Sequence, residues 1–369
     1  MYSKEEIDEV IIELKNNPLF AMSLGSKELF HSNFWAWIMK HDETNTFLSL
    51  FFSELKNVDH ESLKIQREKQ NMDLSIGDSK QGKRYIIENK IKSMPDKGQI
   101  IDYQAKIKDD EFGGGILTGL IKPSFDMPNN KWFFISYSSI SKCLREMIEI
   151  GEFSKHKEII LRYCEMIDNI TKLVKNFMDK SAGKLKYDDC SMLDELRFAN
   201  LCKKIKADDF VKYLKKEIKS EIDKQLIGTG FESKFSYGFS HKNAYVDLRI
   251  GKGLDTANEK FLGIQIQGCE YRIDGSRKGN DIKCDDVFEE LKSLKWLEDY
   301  DASSKTLFNK KTSMTKNYCR YTGKQQNNPY RYVYQYYNIQ EQDFSYEKLA
   351  KSIMEDANRA IKIIKQSKF

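Results

Sequence analysis

Proline is scarce in this chain, five among 369 residues, and cysteine is limited to seven with no C-x-x-C pair. An odd count without paired spacing suggests neither a zinc site nor a disulfide framework, and reduced, mostly buried thiols are the expectation. No apolar run approaches the roughly 20 residues needed to span a bilayer, and residues 1–10 lack the basic and apolar regions of a signal peptide. A soluble, cytoplasmic protein with no membrane partner is therefore expected. Gly113-Gly114-Gly115 is not followed by Gly-Lys-Ser/Thr, so no phosphate-binding P-loop and no NTP-driven module is indicated. No internal repeat is visible.

What is present describes an ordered globular protein. Apolar residues make up 40% and aromatics 12% of the chain, enough to offset chain entropy. At this length two packed domains, or a core with a large appended lobe, are expected. The formal charge of +5, from 61 Lys and Arg against 56 Asp and Glu, permits a polyanionic partner without demanding one.

Hydrophobic periodicity places helices first. Residues 4–15 carry Ile7, Val10, Ile11 and Leu14 on one stripe, and a second helix from about Ser26 to Lys40 runs through Leu29, Phe30, Phe34, Trp37 and Ile38. A third helical stretch contains Phe47, Leu50, Phe51 and Leu55. Strand-like runs follow at 63–68, 72–77 and 84–91, the last two joined by the turn-rich Gly77-Asp78-Ser79-Lys80-Gln81-Gly82 as an antiparallel hairpin. A helix over about 95–108, a glycine-rich loop at 113–115 and a strand at 132–137 complete a β, α, β order. Residues 140–225 read as amphipathic helices, with Ile159, Tyr163, Met166, Ile167 and Ile170 on one stripe. Strands return at 231–237, 244–250, 260–267 and 331–337, with helices near 285–298 and 346–366, and the polar stretch Asn309 to Asn328 reads as a long surface loop. The expected organisation is a core over 1–145, a helical region over 146–227 and a C-terminal α+β lobe over 228–369.

Chemistry concentrates on the hairpin. Glu88 and Lys90 are two apart on a strand and project from the same face, while Asn89 points the other way. With the turn near Lys80, Asp73 lies opposite position 87 or 88, about 5 Å across the strands. Two carboxylates and an ammonium on an apolar strand are costly to bury unless they bind a cation or pair together. A hard cation such as Mg2+ is held by one or two carboxylates with water and substrate oxygens, and a nearby ammonium can orient a nucleophile or stabilise developing charge. The E-x-K tripeptide alone carries no weight, because it recurs at Glu13/Lys15, Glu54/Lys56, Glu217/Lys219, Glu232/Lys234 and Glu290/Lys292. Only Glu88/Lys90 combines a strand, a hairpin and a facing acid.

Asn71-Met72-Asp73-Leu74-Ser75-Ile76 followed by Tyr85-Ile86-Ile87-Glu88-Asn89-Lys90-Ile91 resembles the PD-(D/E)XK nuclease superfamily. Upstream, Glu28-Leu29-Phe30-His31-Ser32-Asn33-Phe34-Trp35-Ala36-Trp37 is similar to the N-terminal helix of one bacterial and phage branch, in which a helix acid joins the metal site. Downstream, Gln99 and Tyr103 resemble the Q-x-x-x-Y element that follows the E-x-K strand, and Ile135-Ser136-Tyr137-Ser138-Ser139-Ile140 the branch's next strand. The likeness covers about residues 26–145; the proline of the signature's name is absent, Met72 standing before Asp73.

The resemblance implies an α/β (α+β) fold of restriction-endonuclease type, with a mixed central sheet flanked by helices. It implies a nuclease that hydrolyses DNA with Mg2+, or Mn2+ in its place, in restriction, phage defence or DNA processing; RNA is left open, and a homodimer is compatible. Asp73 and Glu88 would be metal ligands, Lys90 the orienting or charge-stabilising cation, Glu28 an auxiliary ligand or base, and Gln99 and Tyr103 supports of the strand or water network. The rival reading is a catalytically silent member of the fold that binds nucleic acid or protein.

Other groups weigh less. His31 could assist protonation or simply pack with one ring nitrogen bonded. The aromatic and basic run Tyr318, Arg320, Tyr321, Tyr330, Arg331, Tyr332, Tyr334, Tyr336, Tyr337 could stack bases, although strand alternation places half of its tyrosines in a core. Lys203, Lys204, Lys206, Lys212, Lys215 and Lys216 could meet phosphates or form a solvated face.

Overall fold

Apolar faces on short strands and on flanking helices must be buried against one another, and in the computed structural model they are buried around two separate five-stranded sheets. The structure describes residues 2–366 except 27, 96, 187–190, 241–242, 255, 257–258, 279–283, 298–329 and 341–342. The expected loop Asn309 to Asn328, with Tyr318, Arg320 and Tyr321, lies outside the described residues. The chain divides into two compact units, Met1–Lys180 with Glu195–Leu201, and Ser181–Asp194 with Cys202–Phe369. The helical stretch 146–227 is thus shared between them. Among the described residues no helix is long and apolar enough to cross a membrane.

The first unit begins with α1 (Lys4–Asn16), α2 (Pro18–Ser26), α3 (Glu28–His41) and α4 (Thr46–Phe51). A capping box between Ser3 and Glu6 starts α1, and its stripe of Ile7, Val10, Ile11 and Leu14 is buried as the periodicity requires. The buried face of α3 is different from the expected one. His31, Ser32, Trp35, Ala36, Ile38 and Met39 point inward, whereas Leu29, Phe30, Phe34 and Trp37 are half-buried. The helix is apolar nearly all round, so hydrophobicity does not choose its inner face; polar partners for His31 and Ser32 do.

The sheet of this unit contains β1 (Leu63–Arg67), β2 (Leu74–Asp78), β3 (Lys83–Lys90), β4 (Phe112–Gly119) and β5 (Trp132–Ser136), paired in that order. The first two pairings are antiparallel and the last two parallel, so the sheet is mixed. Asp78 closes the β2–β3 hairpin, its Oδ1 accepting the main-chain N–H of Lys80 at 2.9 Å and of Gln81 at 3.2 Å. α5 (Lys97–Ala105) crosses between the parallel strands β3 and β4, and α6 (Tyr137–Glu149) and α7 (Lys157–Lys180) follow β5. On α7 it is Ile160 that is buried with Tyr163, Met166, Ile167 and Ile170, while Ile159 faces solvent.

The glycine-rich segment is not a loop. It forms β4, in the middle of the parallel half of the sheet, with a register break where Gly113 is inserted between Arg84↔Phe112 and Tyr85↔Gly114. Low side-chain volume is the reason. A Cβ on Gly113 would lie 2.4 Å from the Tyr85 ring, and one on Gly115 would lie 2.4 Å from the Trp132 ring. The glycines let two aromatic rings lie across the strand.

Beyond the short α8 (Ser191–Glu195) come α9 (Ala199–Glu217) and α10 (Lys219–Leu226). The second unit's sheet is a fully antiparallel meander of β6 (Glu232–Ser240), β7 (Asn243–Lys252), β8 (Lys260–Gln267), β9 (Glu270–Lys278) and β10 (Tyr330–Asn338). α11 (Cys284–Ser293) and α12 (Tyr346–Gln366) complete it. β9 was not expected from the sequence, because Arg272, Asp274 and Ser276 alternate with Tyr271 and Ile273 on a strand too polar to stand out. Val246, Leu248, Ile250, Ile264, Ile273 and the inner face of α12 make its core.

The paired glycines make a direct test. Gly115→Ala should lower stability by about 1–3 kcal/mol through overpacking against Trp132. Gly114→Ala, whose nearest neighbour would be Lys131 O at 3.4 Å, should be tolerated. Urea midpoints that fall equally for both, or for neither, would contradict this packing.

Candidate active site

Sheet geometry brings the two expected acids together. The β2–β3 ladder ends at Leu74↔Ile87, so continuing its register by one residue sets Asp73 opposite Glu88. The main-chain N–H of Asn89 donates to Asp73 Oδ2 at 2.7 Å, aiming that carboxylate along the E-x-K strand. Glu88 and Lys90 share a face, as the two-residue period requires, and Lys90 Nζ sits 2.6 Å from Glu88 Oε1. Glu88 is almost fully buried, 2% exposed, and Lys90 retains 15% exposure.

Electrostatics at this point are unbalanced. Burial, and then the neighbouring charge of Asp73, push the Glu88 carboxyl from its ordinary 4.5 up to about 7, against the opposing pull of Lys90. Burial also raises Asp73, opposed by the Asn89 N–H and Lys90 and reinforced by Glu28 and Glu68. One ammonium thus faces a buried acid and a half-buried one. Glu88 Oε2 is buried with no hydrogen-bond donor. The Tyr103 hydroxyl eases its charge, but the hydroxyl proton goes to Asn71 O at 2.7 Å.

Glu28 opens α3, where the positive end of the helix dipole favours a carboxylate. Ser93 donates to its Oε1 at 2.9 Å, and its charge reaches Asp73. The structure does not gather Glu28, Asp73 and Glu88 into one ligand set: among the described residues no group of three or more His, Cys, Asp or Glu is placed to hold a metal ion. The pair alone suits a hard cation. Two mutually repelling carboxylates, one with an unsatisfied buried oxygen, match the one or two carboxylates with which Mg2+ is held alongside water and substrate oxygens.

Gln99 and Tyr103 occupy one face of α5. Gln99 Nε2 donates to Tyr103 Oη at 2.6 Å, and Tyr103 donates to Asn71 O, so both act on the turn that delivers Asp73. That turn is strained. Glu68, Gln70 and Asn71 all have left-handed backbone, with φ of 51°, 57° and 65°. Such non-glycine conformations cost about 1–3 kcal/mol each and persist where surrounding bonds over-determine them. Lys106 Nζ on Gln70 O at 3.2 Å and Arg84 Nη1 on Gln70 Oε1 at 3.2 Å add to the hold of Tyr103. Nothing in Glu68 and Gln70 as residue types signals this.

Asn89 was also undervalued by the sequence. Pointing away from Glu88 and Lys90, it is fully buried and bonded to α3 and α6. The available signal was an amide in line with Tyr85 and Ile87, on the face of the strand opposite Glu88 and Lys90. His31 takes the packing alternative: it is buried, its Nδ1 is 2.9 Å from Tyr163 Oη, and burial, with Lys92, lowers its imidazolium to about 3.

The second unit's expected patches are partly core. Lys206 is buried, with Nζ donating to Ser181 O at 2.6 Å and lying over the Tyr346 ring, so it cannot meet a phosphate. The strand alternation of β10 buries Tyr337 and leaves Tyr334 and Tyr336 half-buried.

Residues 16–165 match the model of the PD-(D/E)XK nuclease superfamily. This segment holds the whole mixed sheet and all six expected site residues, and the superfamily is generally one of nucleases acting on phosphodiester bonds. No curated protein and no solved structure matches the chain.

The acid pair has a thermodynamic signature. A carboxyl whose folded pKa is raised from 4.5 to about 7 contributes stability that is present below pH 4.5 and lost as the pH rises through 7. His31, depressed to about 3, acts with the opposite sign in the range below 6.5. The comparison is therefore between variants. Glu88→Gln should gain stability over the metal-free wild type, and gain more at pH 8 than at pH 5, in urea titrations. An equal difference at both pH values would remove the buried, raised carboxyl from the account.

Proposed function

We propose that the nuclease-type domain of residues 16–165 hydrolyses phosphodiester bonds of DNA with a divalent cation, Mg2+ or Mn2+, held at Asp73 and Glu88. One observation carries the reading: a buried carboxylate oxygen of Glu88 without a donor, beside a second raised acid and a single ammonium. A divalent cation at this pair would neutralise charge on the phosphoryl oxygens and acidify an attacking water.

The chain's own residues take the other roles. Lys90, close to Glu88 and still partly exposed, orients the nucleophile or stabilises charge on the scissile phosphate. Glu28, outside the acid pair as it stands, acts as a base from the start of α3, or as an auxiliary ligand once its side chain leaves Ser93 and turns toward the pair. Gln99 and Tyr103 hold the strained turn before Asp73, so that this carboxylate does not swing away from Glu88. On this reading the protein works in the cytoplasm in restriction, phage defence or DNA processing, roles that rest on likeness to the bacterial and phage branch alone. Cutting both strands favours a homodimer.

Linear, circular and single-stranded DNA, and RNA, incubated with the protein and Mg2+ or Mn2+ test this directly. Cleavage of DNA is expected, and Asp73→Ala and Lys90→Ala should each lower it by at least about 10^2–10^3-fold while keeping the wild-type circular dichroism. Cleavage of RNA alone would reassign the substrate. Wild-type activity in both variants would refute the site, and inactivity of the folded wild type on every substrate would favour a silent, nucleic-acid- or protein-binding member of the fold.

A further inference from the structure

Asn89 lies between Glu88 and Lys90, and its hydrogen bonds run to both of the remaining acids' supports. Its main-chain N–H donates to Asp73 Oδ2 at 2.7 Å. Its side-chain Nδ2 donates to the main-chain carbonyl of Glu28 at 2.9 Å and to Ser32 Oγ at 3.2 Å. Ser32 Oγ in turn donates to the same Glu28 carbonyl at 3.1 Å, which closes a small ring of bonds around the first turn of α3. The side-chain oxygen accepts from the Tyr137 hydroxyl of α6, and Thr118 Oγ1 of β4 lies 3.4 Å from it. Both N–H groups of the carboxamide are therefore engaged and its oxygen accepts from Tyr137, while the Thr118 hydroxyl is shared with the Glu88 carbonyl at 3.3 Å, in a site from which solvent is excluded.

Only an amide of this length satisfies that pattern. Aspartate would set a carboxylate oxygen against the Glu28 carbonyl, and an apolar residue would leave the Tyr137 hydroxyl and the α3 side without their partner. The side-chain donors aim at the turn that carries Glu28. The bonds converge there, while the same residue's backbone grips Asp73.

We propose that Asn89 is a positioning residue: it fixes the distance of Glu28 from the Asp73–Glu88 pair and thereby sets the affinity of the site for a divalent cation. The inference rests on the proposed function, since it takes the acid pair as the cation's seat. The Asn89 side chain acts through the first turn of α3, whereas its main-chain bond to Asp73 does not depend on the side chain.

The test is Mn2+ titration of the full chain by calorimetry, with cleavage measured against Mn2+ and against DNA concentration, for wild type, Asn89→Ala and Ser32→Ala. Asn89→Ala is expected to weaken Mn2+ binding by ~10–100-fold. The Mn2+ concentration for half-maximal cleavage should rise in proportion, KM for DNA should not change, and excess Mn2+ should restore the rate. Ser32→Ala, which removes one bond of the ring and is expected to keep the fold, should shift Mn2+ affinity in the same direction by a smaller factor. If Asn89→Ala does not fold, Ser32→Ala carries the test. Wild-type Mn2+ affinity in Ser32→Ala, or an Asn89→Ala protein that loses only thermal stability, overturns the positioning role. A wild-type chain that cleaves DNA and binds Mn2+, with both variants unchanged, overturns this inference alone; a folded wild type that binds no Mn2+ overturns the reading of the acid pair as well.

Discussion

A buried carboxylate, Glu88, facing a half-buried one, Asp73, with one ammonium paired to Glu88, is the constraint on which the rest of the first unit turns. Asp73 and Glu88 repel each other where burial removes most of the water from Glu88 and part of it from Asp73, and Lys90 offsets one charge, not two. Left without a cation, the pair relieves the imbalance by holding protons more tightly than free carboxyls do. That is a stored preference for positive charge, created by the strand register and the burial of Glu88.

The surroundings are built to keep the two acids from escaping it. Asp73 leaves a turn with three left-handed non-glycine residues, held by the Tyr103 and Lys106 bonds to its carbonyls. Asn89 fixes Asp73 from the opposite strand and binds α3, while Tyr137 at the head of α6 fixes Asn89. Elements distant in sequence, at residues 28, 71, 89, 103 and 137, thus converge on one carboxylate pair. Match to the nuclease superfamily over residues 16–165 covers every one of them.

Much of this arrangement was legible before any coordinates. The hairpin, the facing of Asp73 and Glu88 and the common face of Glu88 and Lys90 follow from turn residues and a two-residue period, which are local rules. The burial of Ile7, Val10, Ile11 and Leu14 follows from helical spacing in the same way. What could not be read depends on partners far along the chain. Gly113 and Gly115 look like loop residues until Tyr85 and Trp132 are seen to need the space above them. The inner face of α3 is set by Tyr163 and Asn89, not by hydrophobicity. The strain at Glu68 and Gln70 has no compositional trace, and Lys206, one lysine among several on its helix, is buried by Ser181 and Tyr346 from other segments.

If the raised, mutually repelling acids seat a divalent cation, calorimetric titration of Mn2+ into the wild-type protein near pH 6.5, in two buffers of different ionisation enthalpy, will show it. With Glu88 held at about 7, a cation that occupies the pair must displace protons, so the observed heats should differ between the buffers by the amount of proton release, and Glu88→Gln should shrink that difference. Mn2+ binding without proton release, or identical release in Glu88→Gln, would contradict the account.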